Sequence, residues 1–228
     1  MFLPNSLIKK RFFFSLFRLP KPNLRKHTVA LYLIHFEEIR MSQARVLNPQ
    51  ELRRVLDHVA TRRHSARNRC CLLLTHYAGM RVGEVAALRI NDVLNSDSTI
   101  KGEVRLMPEQ TKGKHPRTVY LNERMQKELS NYIRCLRIKD QAKPLFYTQK
   151  QSGFSANSLT QYFFYLYRAC GLDGASSHSG RRSFLTGLAN KGTAIHILKS
   201  LAGHRNISTT ASYLYSNPSQ LRAAVELV

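Results

Sequence analysis

From Met41 onward, apolar positions along the chain recur mostly with a helical period. Leu52, Val55, Leu56 and Val59 share one face. They follow Asn48-Pro49-Gln50-Glu51, a start signal made of a capping side chain, a first-turn proline and a Glu three residues after the cap. The spacing predicts a second helix over about 64–78, with Cys70, Leu72, Leu73 and Leu74 inside and Gly79 as the stop, and a third from Val82 to Leu88. The period then changes to two. Ile100, Val104 and Leu106 alternate with Lys101, Glu103 and Arg105, and Val119 and Leu121 alternate with Thr118 and Tyr120. The intervening Gln110-Thr111-Lys112-Gly113-Lys114-His115-Pro116 is a basic turn sequence, so the stretch predicts a β-hairpin. Helical spacing returns at Met125–Leu136, Leu159–Cys170, His178–Lys191, Ile195–Ala202, Ile207–Tyr215 and Ser219–Leu227. The expected fold class is mainly α with a small antiparallel β-sheet (α+β).

Residues 1–40 differ from this pattern. They carry Lys9, Lys10, Arg11, Arg18, Lys21, Arg25, Lys26 and Arg40 against Glu37 and Glu38, hold Pro4, Pro20 and Pro22, and have no clean period. They are read as a poorly ordered basic arm or as an extension upstream of the true start, with the main domain over 41–228. The apolar run Phe12-Phe13-Phe14-Ser15-Leu16-Phe17 is too short for a membrane helix, which needs ~18 to 20 apolar residues. Arg18 interrupts it, and no small-residue cleavage site follows. No membrane association is expected.

Charge narrows the function. A chain of 228 residues with 43% hydrophobic residues can build a core, yet its formal charge is +22. Such a charge opposes compaction unless a polyanion neutralises it, and phosphate backbones do so with release of counterions. Cys70, Cys71, Cys135 and Cys170 form no CxxC pair and no zinc-spaced cluster, which fits a reducing cytoplasm. The acidic residues are scattered, which argues against a two-metal nuclease.

Candidate chemistry gathers in four places: Arg81-Val82-Gly83-Glu84, the Lys112 loop, His178-Ser179-Gly180-Arg181, and Gly203-His204 with Tyr213 nine residues after the histidine. Two guanidiniums can clamp the non-bridging oxygens of a phosphodiester with paired hydrogen bonds that lysines cannot match, and Arg81 and Arg181 are the candidates. Glu84, one helical turn from Arg81, is close enough to hold it. A tyrosine can serve as nucleophile once its phenol loses its proton to a base. Tyr215 competes with Tyr213. On a helix the two would point about 200° apart, so both cannot face one phosphate.

In this ordered set, over roughly residues 45–228, the chain resembles the tyrosine recombinases of the phage-integrase and Xer type. The resemblance implies a catalytic-domain fold of that family. It implies site-specific recombination of double-stranded DNA (integration, excision or inversion) through a 3′-phosphotyrosine at Tyr213, with a free 5′-hydroxyl. By the same resemblance Lys112, rather than Lys114, protonates the leaving oxygen. His178 accepts the tyrosine proton or hydrogen-bonds the phosphate, and His204 hydrogen-bonds a non-bridging oxygen. The spacing to His204 favours Tyr213 over Tyr215.

Lys114, Arg117, Arg182 and Arg205 are the candidate phosphate contacts. No cofactor or metal is implied. The implied assembly is a homotetramer on DNA, monomeric when free, with accessory DNA-bending proteins as possible partners, in a bacterial-type cytoplasm. Type IB topoisomerase-like nicking and resealing, and an integrase-derived DNA-binding accessory protein, are the alternatives. The sequence departs from the family in two ways. Gly180 stands where a bulky apolar residue is common, loosening the helix start or giving backbone room near DNA. Only about 45 residues precede the catalytic pattern, where the family usually carries a separate helical core-binding domain, so the expected form resembles the short recombinases that consist of little more than a catalytic domain. The tail Gln220–Val228 reads as a short amphipathic helix that docks on a neighbouring protomer or on its own domain.

Overall fold

The computed structural model describes residues 44–136, 140–149, 152–214, 222, 225 and 226. The expected basic arm, Tyr215 and almost all of the C-terminal helix expected at Ser219–Leu227 lie outside the described residues. In chain order the elements are α1 (Pro49–Ala60), α2 (Ser65–Tyr77), α3 (Val82–Ala87), α4 (Ile90–Val93), β1 (Glu103–Leu106), a 3-10 turn (Pro108–Gln110), β2 (Arg117–Tyr120), α5 (Glu123–Arg134), α6 (Ala156–Ala169), α7 (Ser179–Asn190), α8 (Ile195–Ala202) and α9 (Ile207–Ala211). Among the described residues the fold is mainly helical with one two-stranded antiparallel sheet, as the periodicity predicts.

The start of α1 follows from its cap. The Glu51 N–H donates to Asn48 Oδ1 at 2.8 Å, and the Asn48 N–H donates to Glu51 Oε2 at 3.0 Å. This reciprocal pair satisfies two backbone donors that a helix start otherwise leaves open. Helix α2 lies at the centre of the core, with Cys70, Cys71, Leu72, Leu73, Leu74, Thr75 and His76 all buried. A helix apolar around most of its circumference must be enclosed, and α1, α3, α5 and α7 all pack against it. At its end Gly79 adopts φ +59, and the Met80 N–H donates back to Leu74 O at 3.3 Å. This left-handed stop turns the chain so that Arg81 follows at once, at the cap of α3.

In the hairpin, Glu103 faces Tyr120, Val104 faces Val119 and Leu106 faces Arg117. Val104, Leu106 and Val119 point into the core, the one-sided burial that period-two sequence encodes. The strands are shorter than the alternation suggested: Ile100 makes only an isolated bridge to Leu94. Gln110 ties the hairpin loop to α4, donating to Asp92 Oδ2 at 2.6 Å and to Ala87 O at 3.2 Å. Helix α4 and the bridges Arg89–Pro144 and Tyr147–Gly153 had no signal in the apolar pattern.

Helix α9 is also shorter than the expected Ile207–Tyr215. It ends at Ala211, and Tyr213 sits in the turn that follows, its N–H donating to Thr210 O at 3.0 Å. The 200° separation of Tyr213 from Tyr215 on a continuous helix therefore does not apply. The stretch is too short and too rich in Ser and Thr, which compete for backbone hydrogen bonds, to sustain a longer helix.

Candidate active site

Three chain turns meet at the ends of α2, α7 and α8. The first carries Arg81. Its backbone N–H donates to Glu84 Oε2 at 2.8 Å and its Nη1 donates to Glu84 Oε1 at 2.9 Å. The side chain of Arg81 is 26% exposed and that of Glu84 only 1%. Arg81 Nη2 also reaches Gly203 O at 3.3 Å, which joins the first turn to the third.

The second turn is the start of α7. Arg181 lies in its first turn and is 4% exposed. Its Nη1 donates to Gly79 O at 2.6 Å, and its Nη2 donates to Ala202 O. Nη2 also lies 3.1 Å from His204 Nε2. Burial pulls the Arg181 pKa down, as do the charges of Arg81 and Arg117, while Glu84 and Tyr213 oppose them. A guanidinium keeps its proton in proteins, so the physical content is a desolvated cation among other cations. An incoming anion would relieve it.

The third turn begins where Gly203, at φ +58, ends α8 and aims the next residue back at Arg181. Built on Gly203, a Cβ would meet Arg117 Cδ at 2.7 Å. His204 follows. Desolvation and the charges of Arg181, Arg81 and Arg117 push its pKa down to about 4, so its imidazole is neutral. A guanidinium is donor only, so Nε2 must be the acceptor. The ring proton then sits on Nδ1, 3.0 Å from Thr210 Oγ1. The His204 ring stacks on Tyr213 with centroids 5.8 Å apart and planes 21° from parallel. The Arg182 guanidinium carbon lies 5.9 Å over the same tyrosine ring.

His178, at the N-cap of α7, has its pKa lowered by desolvation and by the charges of Arg181, Lys112 and Arg81. Lys112, exposed in the hairpin loop, is thus near enough to be felt at this imidazole. In the same loop Lys114 adopts φ +50, and His115 Nε2 contacts Arg205 of the third turn. The structure therefore draws Arg81, Lys112, His178, Arg181, His204 and Tyr213 to one surface from separate parts of the chain. Arg182, Arg205 and the hairpin loop stand at its margin.

Arg117 does not join that surface. The sequence suggested a phosphate contact, but its side chain is 9% exposed and turned inward. Nε and Nη2 donate to the two Glu84 oxygens at 3.0 and 2.6 Å, and Nη1 donates to Leu201 O at 2.8 Å. Burial works against the Glu84 charge. The hydrogen bond and charge of Arg117, with the Arg81 N–H and charge, outweigh it and hold the carboxyl below its ordinary range. Gly180 is also buried, facing α2 rather than an open surface. Sequence reasoning missed Thr210, whose hydroxyl holds His204. Its position six residues after the histidine was the available signal.

The helical fold with its small antiparallel sheet is that of tyrosine recombinase catalytic domains. Over residues 45–220 the chain matches the phage integrase family, and it belongs to that family. It is 27% identical over 192 residues to the tyrosine recombinase XerD of Rickettsia conorii, covering 79% of this chain and 62% of the relative. It is 34% identical over 178 residues to the putative integrase/recombinase y4rF of Sinorhizobium fredii, covering 75% of this chain and 40% of that one. The chain thus spans 62% and 40% of the length of these two relatives, less than two thirds of each. In fold it is similar to XerA recombinase, with a TM-score of 0.64 at 22% identity, over 82% of this chain and 65% of that one. It is equally similar to the Tn1549 transposon integrase in complex with transposon right end DNA, with a TM-score of 0.64 at 19% identity, over 82% of this chain and 67% of that one. Among the described residues no helix is long and apolar enough to cross a membrane.

Proposed function

We propose that this chain cuts and rejoins duplex DNA at specific sites through a covalent phosphotyrosine at Tyr213. The observation that carries the reading is the Tyr213 ring, stacked on His204 beside Arg181 and beneath Arg182. Arg81 and Arg181 bind the non-bridging oxygens of the scissile phosphate. There they oppose the charge that builds up as the phosphorus becomes five-coordinate. His204 donates to one of the same oxygens. The Tyr213 oxygen attacks phosphorus, with its proton passing to His178, whose pKa is lowered by desolvation and then by the surrounding cations, which favours the neutral, proton-accepting imidazole. The P–O5′ bond breaks, and Lys112 protonates the departing 5′-oxygen. The phosphodiester energy is retained in the 3′-phosphotyrosine bond, so resealing by a 5′-hydroxyl needs no nucleotide cofactor. Four protomers on two sites would exchange strands in pairs.

The test is covalent trapping. The protein is incubated with a nicked duplex carrying its flanking or cognate site and run on a denaturing gel, beside Tyr213→Phe and Tyr215→Phe. A shifted band lost only with Tyr213→Phe is the expected result. Loss only with Tyr215→Phe moves the nucleophile. Tight binding to a verified site without any band favours the accessory-protein reading.

A further inference from the structure

Thr210 lies on α9 with a relative exposure of 0%, so water does not reach its hydroxyl and its partner must be internal. That partner is His204 Nδ1 at 3.0 Å. The Thr210 carbonyl meanwhile accepts the Tyr213 N–H at 3.0 Å. One residue thereby holds both the imidazole and the backbone of the tyrosine stacked on it.

The Arg181 contacts give this arrangement a consequence. Nη2 carries two protons, one directed to Ala202 O and the other to His204 Nε2. In this state His204 carries its proton on Nδ1 and donates it to Thr210. For a phosphate oxygen to bind Arg181 Nη2, it must take the proton that Nε2 now accepts. For His204 to donate to the same phosphate, Nε2 must itself carry a proton and Nδ1 must become the acceptor. Thr210 then has to donate where it formerly accepted. A hydroxyl can do either by rotating about its C–O bond. The ring stays neutral throughout, with one proton lost at Nδ1 and one gained at Nε2; His204 is only partly buried, so its ring exchanges both with solvent when its contact to Thr210 opens.

We propose that Thr210 is a positioning residue for the strand-cleavage step, a two-way hydrogen-bond partner that lets His204 exchange tautomers when phosphate reaches Arg181. The proposal rests on the phosphotyrosine reading above, and its test has an arm independent of DNA cleavage. In the full chain labelled with [15N]histidine, His204 is assigned by its loss in His204→Asn. Long-range proton–nitrogen spectra should show the Nδ1–H tautomer in the free protein. They should show the Nε2–H tautomer after addition of sodium orthovanadate, which mimics a five-coordinate phosphoryl group. In Thr210→Val the free protein should keep the Nδ1–H tautomer that Arg181 imposes, but vanadate should no longer hold the Nε2–H form, and in Thr210→Ser the wild-type response should return.

The second arm is the single-turnover cleavage rate on the nicked duplex that traps the wild-type protein. Thr210→Val should be slowed roughly 10- to 100-fold, the scale of a misplaced catalytic group, with DNA affinity unchanged. Thr210→Ser should stay within a few-fold of wild type. An Nε2–H tautomer in the free wild-type protein overturns the proposal, whether or not Thr210→Val folds. So does wild-type cleavage by Thr210→Val, or a Thr210→Ser variant as slow as the valine. If the wild-type protein forms no covalent adduct on any duplex, the phosphotyrosine reading fails, and the spectra still decide whether Thr210 governs the tautomer.

Discussion

A methyl group placed on Gly180 would come 2.0 Å from Thr75 Oγ1 and 2.8 Å from its Cβ. Both atoms belong to the central helix, so the missing side chain is what lets α7 approach α2 closely enough to bring Arg181 beneath Gly79 O. The sequence alone left open a loosened helix start or room beside DNA; the space is taken up inside the protein instead. Gly180→Ala should therefore lower stability by about 1–3 kcal/mol, the usual cost of overpacking a tight core, and replacing Thr75 by Ala in the same chain should recover part of it. Urea unfolding of the two variants checks this, and an alanine variant as stable as wild type would mean that the helices can separate freely. The two arginines of the site differ at this scale as well. Arg181 is nearly sealed at 4% exposure, while Arg81 keeps a quarter of its side chain in solvent. An electrostatic contact strengthens as water is excluded, so under the proposed mechanism Arg181 should be the stronger of the two phosphate clamps.

At the scale of elements, the hairpin does more than present a lysine. Strand β2 sends Arg117 into the protein, where it joins Glu84 of α3 to Leu201 near the end of α8. Glu84 in turn holds Arg81, so one buried carboxylate connects the first and third turns of the site through the sheet. Arg117→Met leaves that carboxylate with Arg81 alone. Breaking a buried pair by removing one partner costs about 3–5 kcal/mol, and the denaturation midpoint should fall accordingly. Arg117→Lys should recover only part of the loss, because an ammonium cannot make the forked contact. The covalent adduct should diminish in both variants as Arg81 loses its fixed support. The effect of pH has a definite sign. The folded-state pKa of Glu84 is depressed, so its contribution is complete above the ordinary carboxylate range and lost as pH falls through the folded value. Without Arg117 the depression shrinks, and unfolding should depend less on pH in that acid window.

At the scale of the molecule, a formal charge of +22 on 228 residues is balanced by little within the chain. If phosphates neutralise it, affinity for duplex DNA should fall steeply with salt. A protein making 6–10 phosphate contacts loses roughly 10³- to 10⁵-fold between 50 and 200 mM. Fluorescence anisotropy across that range measures the slope, and a flat response would count against a phosphate-dominated interface. Arg117 is buried and should not contribute to the slope, whereas Arg182 and Arg205 at the margin of the site should.

The sequence by itself determined the helical frame, the hairpin, the Asn48 cap and the left-handed stop at Gly79, because each is encoded by residues within a turn or two of one another. It also carried the ordered set of charged, imidazole and phenol groups that the structure draws to one surface. Only the tertiary structure decided how those groups are used. Arg117 meets Glu84 across 33 positions and Leu201 across 84, and Arg81 meets Gly203 across 122. No local pattern reports such partners. An arginine in a basic loop reads the same whether it will face a phosphate or a buried carboxylate, and a glycine reads the same whether its space is filled by solvent or by a helix. Thr210 and the turn at Tyr213 escaped notice for the same reason: a hydroxyl or a helix end acquires its role from what packs against it.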